Sequence, residues 1–105
     1  MRPDLRFAAA LWVHHGDGGW HFVTLPRDVA DDLRDLGGPR GPGFGSIRVT
    51  ATVGVSTWDT SVFPDTATGS FLLPVKKDVR RANDLVPGDA VEVQLRVQAP
   101  VPPGR

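Results

Sequence analysis

Four groups of side chains in this sequence have types and spacings that could do chemistry. The first is basic. Lys76, Lys77, Arg80 and Arg81 recur at i, i+3 and i+4, so on a helix their charges converge on one side. Such a face could hold phosphate or a nucleic-acid backbone. It is also what a solvated helix presents when Asp78 and Asp84 pair part of the charge. The second group is His14, His15 and His21 with Asp17. If His15 pairs with Trp20 across a hairpin, His14 lies opposite His21, near enough to share a zinc or nickel ion. Two imidazoles and a turn carboxylate are a sparse donor set, and the polar outer face of a hairpin explains them as well. No metal and no cofactor is expected. The third group is aromatic: Trp12, Trp20, Trp58, Phe63 and Phe71. Trp12 shares its strand face with His14 rather than with Leu11 and Val13. It could line a ligand pocket or a partner surface, or pack beneath a capping helix. Trp12, His14, His21 and Trp58 together are the candidate ligand or partner surface. The fourth group is Ser56, Thr57, Asp59, Thr60 and Ser61 on one strand. No nucleophile-elbow motif is present, and alternation sends Asp59 and Ser61 to one face and Thr60 to the other. The glycine-rich segment 37–43 lacks the strand-to-helix setting and the lysine of a phosphate loop. No catalytic residue is assigned, and binding is favoured over catalysis.

Composition narrows the classes. A chain of 105 residues makes one domain with one core, and 40% apolar residues suffice for it. Twelve bases balance twelve acids, so no global field draws the protein to nucleic acid or to an acidic membrane. There is no cysteine, which removes disulfides, thiolate metal sites and a cysteine nucleophile and suits a reducing cytoplasm. No apolar run approaches the roughly 20 residues that span a bilayer. The start, Met1-Arg2-Pro3-Asp4, lacks the apolar core of a signal peptide. A cytoplasmic protein with an unidentified small-molecule or protein partner is expected.

The elements that must carry these groups follow from periodicity. Leu5, Phe7, Ala9, Leu11 and Val13 alternate onto one face of a strand over 5–14. Glycines at 16, 18 and 19 turn the chain into a second strand over 20–25, with Val13 expected opposite Phe22. Pro26 opens a helix to about residue 36, with Leu25, Val29, Leu33 and Leu36 inward and Asp28, Asp31, Asp32 and Asp35 outward. A third strand covers 46–53, a tight turn or bulge falls at Gly54, and a fourth strand covers 55–63. After a turn over 64–69 come a fifth strand over 70–75 and a second helix over 76–84. Val75, Val79, Ala82 and Val86 are expected inward. Pro87-Gly88-Asp89 leads into a sixth strand whose Val91, Val93, Leu95 and Val97 alternate with polar residues. The Pro-rich end, 99–105, is expected to be a disordered tail to a single domain over 1–98.

The order strand-strand-helix-strand thus occurs twice, at an offset of fifty residues that sets Asp28-Val29 on Asp78-Val79 and Trp20 on Ser70. Neither half has a complete core. The expected fold is mainly β, a six-stranded barrel with a pseudo-two-fold axis and two short capping helices. The runs WHFVTLP (20–26), Gly45-Ser46, STWDTSVFP (56–64), LLPVKKDVR (72–80) and PGDAVEVQL (87–95) resemble a bacterial family of uncharacterised proteins, domain of unknown function 1905. The resemblance covers residues 5–97. It implies a pseudobarrel similar to the AbrB and MazE DNA-binding barrels, in which two chains each supply one half. Here one chain supplies both, so a monomer is expected. The resemblance brings no activity with it. It makes an AbrB-like regulator the second reading, with a small barrel enzyme third. Duplex DNA is disfavoured by charge: residues 27–35 hold two bases and four acids, while 76–84 hold four bases and two acids. A symmetric DNA reader needs basic surfaces on both halves.

Overall fold

Alternating apolar residues on the third and sixth strands build the centre of the barrel. Ile47, Val49, Ala51 and Val53 are buried, as are Val91, Val93, Leu95 and Val97. Their two strands pair antiparallel with Val49 opposite Val97 and Ala51 opposite Leu95, so both apolar sets point to one interior. The computed structural model describes residues 4–16, 18–37 and 45–98. In chain order these form β1 (Leu5–Val13), β2 (His21–Thr24), α1 (Arg27–Gly37), β3 (Ile47–Val53), β4 (Ser56–Asp65), β5 (Ser70–Pro74), α2 (Lys77–Ala82) and β6 (Ala90–Val97). The strands close in the order β1-β2-β5-β4-β3-β6, all neighbours antiparallel. Closure leaves no unpaired sheet edge among them. No helix among the described residues is long and apolar enough to cross a membrane.

Exchanging β1 with β4, β2 with β5 and β3 with β6 returns the same set of neighbours, so the strand order has two-fold symmetry. Single hydrogen bonds repeat the offset of fifty. Leu25 N–H donates to Phe71 O and Val75 N–H to His21 O, both at 3.0 Å. Ala30 N–H donates to Pro26 O and Arg80 N–H to Lys76 O in the first turn of each helix. The β2–β5 and β3–β6 ladders both join one half to the other, so neither half closes alone.

Helix α1 buries Val29, Ala30 and Leu33 against β1, β5 and β6 and exposes its four aspartates. Asp4 anchors the start of β1 on β6, accepting from Arg96 Nε at 3.0 Å and from Gln94 Nε2 at 3.1 Å. That hydrogen bond, and then the carboxylate's charge, raise the Arg96 pKa further above its usual range.

Three expectations need correction. The β1–β2 register is one residue away from the expected one. Val13 lies opposite His21 and Trp12 opposite Phe22, so Phe22 leaves the core and Val23 takes its place. A narrow six-stranded interior lined by Val, Leu and Ala suits Val23, while Phe22 gains its contacts outside. Secondly, α2 stops at Ala82, and Ala82 and Val86 are exposed. Asp84 takes a left-handed φ of 53°. Leu85 N–H then donates back to Arg80 O at 2.9 Å and Asp84 N–H to Arg81 O, a Schellman termination that turns Leu85 onto the core. Thirdly, β4 runs through Pro64 to Asp65 rather than ending before them. The glycine-rich loop beyond Gly37 and the expected tail lie outside the described residues.

The αL position at Asp84 is strained for a residue with a Cβ. Asp84→Gly is expected to stabilise the domain by about 0.5–1 kcal/mol. A calorimetric melting temperature raised by roughly 2–8 °C would show it.

Candidate functional site

The corrected register assembles an apolar outer face. Trp12, Phe22 and Pro74 are row partners across β1, β2 and β5, and Thr24, Leu72 and Phe63 form the next row across β2, β5 and β4. Phe22 lies between two indoles. Its centroid is 5.2 Å from Trp12, tilted by 39°, and 6.2 Å from Trp20, nearly parallel at 11°. Trp12 Nε1 donates to Thr24 Oγ1 at 2.9 Å, which fixes the inner end of the stack. The outer end, Trp20, is 57% exposed. The other side of the barrel is polar outside. There Thr50 donates to Asp59, Thr52 bonds Thr57, and Arg48 reaches Ser61.

Trp20 forms one wall of an open cleft of about 210 Å³, between the β1–β2 loop and the β5–α2 junction. Val75, Lys76 and Arg80 line the opposite side. His21 sits in it with a defined tautomer. Its Nδ1–H donates to Gly19 O at 2.7 Å, and its Nε2 accepts from the Arg80 guanidinium at 3.3 Å. A carbonyl can only accept, so the proton is on Nδ1. Arg80 is held from the other side as its Nε donates to Val75 O at 3.1 Å. Two of its five N–H groups are then engaged and three are available. Lys76 is exposed and heads α2. None of the described residues lining the cleft is acidic.

The symmetry-related place on the other half is sealed. There the β4–β5 turn ties itself with Thr68 Oγ1 donating to Asp65 Oδ2 at 2.8 Å. Arg27 donates to Thr68 O and Arg34 to Gly69 O, both from α1. Arg34 also stands over the Phe71 ring at 5.1 Å. Ser70, the counterpart of Trp20, is 2% exposed and donates to Leu25 O at 2.7 Å. One copy of the architecture thus covers its strand end, and the other leaves it open beneath an exposed indole.

The candidates from the sequence divide accordingly. Trp12, His21, Lys76 and Arg80 come together at the cleft or on the stack behind it. His14 does not join His21. Its backbone N–H pairs with Trp20 O at 2.7 Å, and its ring lies against Gly16, where an added Cβ would be 2.8 Å from Nε2. Asp17 lies outside the described residues. Among the described residues no group of three or more His, Asp or Glu could hold a metal ion. Trp58 is on the inward face of β4, opposite Ala51 and packed on the core. Lys77 and Arg81 line an adjoining groove of about 280 Å³ with Asp84 and Leu85, and Arg80 borders both. A wider hollow of about 480 Å³ on the outer wall, near Arg6, Thr52, Glu92 and Gln94, mixes charges and presents no indole. Sequence reasoning missed Phe22, because a register slip of one residue sends a side chain to the other face.

The profile of the family described as "Domain of unknown function (DUF1905)" matches residues 7–95, a span that includes every residue named at the cleft. No curated protein matches the chain.

Proposed function

This chain belongs to the DUF1905 family, and from that premise we propose that it is a non-catalytic binding module whose site is the cleft between Trp20 and α2. One observation carries the reading. An aromatic stack and two cations, far apart in sequence, converge at the strand end that the fold leaves open, while the equivalent end is sealed. The test is a fragment screen followed by ¹⁵N NMR. Saturable shifts at Gly18, Gly19, Trp20 and Lys76 with some fragment are expected. A screen of neutral, cationic and anionic fragments that never moves these resonances sinks the reading.

A second reading, an AbrB-like nucleic-acid binder, draws on the two-fold strand order and the exposed Lys76, Lys77 and Arg81. Asp28, Asp31, Asp32 and Asp35, all exposed on α1, oppose it by repelling phosphate from the other half. Fluorescence polarisation with labelled random duplex DNA at low salt should therefore show no binding. Salt-sensitive binding that weakens in Lys77→Ala and Arg81→Ala would put this reading first.

A further inference from the structure

We infer that the cleft takes a small organic anion, one flat ring bearing a phosphate or carboxylate, and this rests on the binding role proposed above. The ring is assigned to Trp20. An indole 57% exposed is an unusual use of apolar surface, and this one is backed by Phe22 and, behind it, by Trp12 held to Thr24. A supported ring gives up little side-chain freedom when another ring stacks on it. The anionic group is assigned to Lys76 and Arg80. His21 supplies no charge there, since its Nε2 is accepting from Arg80. Arg80 is oriented in advance by its bonds to Val75 O and His21, with N–H groups to spare for a fork of oxygens. Lys76 has no ion-pair partner among the described residues. Gly18 and Gly19 line the wall at φ of 87° and 58°, so backbone without a Cβ faces the ligand. A space of about 210 Å³ is below the usual roughly 300–1,000 Å³ of a drug-sized pocket, so it suits one ring. A neutral aromatic would leave two cations unmatched, and a bare anion would leave the indole in water.

The test uses phenyl phosphate and phenylacetate, against inorganic phosphate, benzyl alcohol and benzylamine, by ¹⁵N NMR titration of the full chain. Either ring-bearing anion should shift the Gly18, Gly19, Trp20 and Lys76 signals with a Kd about tenfold or more below those of the three controls. Trp20→Ala and Lys76→Ala should each weaken binding about tenfold. Lys76 is exposed, so Lys76→Ala should melt with the parent, while Trp20→Ala, which gives up the stack on Phe22, should melt a few degrees lower and still fold. Inorganic phosphate binding as tightly as phenyl phosphate would overturn the ring assignment. Benzylamine binding as tightly would overturn the charge assignment. Either result would leave the binding role standing. No shift with phenyl phosphate or phenylacetate would also overturn the inference, and the role itself would fall only with the whole fragment screen.

Discussion

Gly54→Ala should lower stability by about 3 kcal/mol, a fall of roughly 12–24 °C in melting temperature for a domain of this size. Gly54 turns β3 into β4 at a φ of 56°, which costs a residue with a Cβ about 1 kcal/mol. The larger effect is a collision. A Cβ at Gly54 would lie 2.0 Å from Asn83 Oδ1. Asn83 is the C-cap of α2 and clasps the hairpin. Its Oδ1 accepts from Val55 N–H at 2.9 Å, and its Nδ2 donates to Ser56 Oγ at 3.1 Å and to Val79 O at 2.9 Å. Displacing it forfeits bonds with a net value of about 1 kcal/mol each, partly recovered by water at this exposed turn. Asn83→Ala alone should therefore cost about 2 kcal/mol. The double variant should cost about 3 rather than 5 kcal/mol, because the alanine at 83 removes what the methyl strikes. Additive losses in urea titrations would show that the clasp is not the cause.

Leu73→Ala should cost about 3–4 kcal/mol. Leu73 is fully buried and lies opposite Val23 on the ladder that joins the two halves. The barrel walls around it are strands, which collapse little around a lost side chain, so the cavity persists. A domain of about 100 residues holds roughly 5–15 kcal/mol in all, so the variant would be marginal. Its neighbour Leu72 is half-buried on the outer face, and Leu72→Ala should cost only about 1 kcal/mol. The contrast tests the register, since a slip of one residue would exchange the two effects. Both variants should still unfold in a single transition, because β2–β5 and β3–β6 each cross between the halves. A plateau in circular dichroism between two transitions would mean that one half persists without the other.

Much of the fold was legible in the sequence, for local reasons. Val91, Val93, Leu95 and Val97 alternate without a break, and all are buried. Pro26 and the spacing of Val29 and Leu33 placed α1. The Pro87-Gly88 pair marked a turn in which Gly88 has a φ of 97° and Asp89 N–H returns to Val86 O at 3.1 Å. In 20–25 the pattern was ambiguous, because Trp20, Phe22 and Thr24 alternate as well as His21, Val23 and Leu25 do. Pairing His15 with Trp20 put Phe22 on the core face opposite Val13, but the narrow interior selects Val23. The end of α2 was legible only in part. Ala82 and Val86 keep the helical spacing, but an aspartate in the left-handed region ends the helix and brings Leu85 inward instead.

A mainly β chain in two like halves, a family, and the residue types that could bind something can all be read along the chain. Those follow from alternation, turn chemistry and motif, all of which act within a few positions. Which of those residues meet is set by how the strands pack. Trp20 and Arg80 are sixty positions apart in the chain and line one cleft, while His14 and His21, seven apart, do not pair. The order in which six strands close sets the first outcome, and a register of one residue sets the second. Both depend on which side chains fill one small interior together, and no local pattern contains that information.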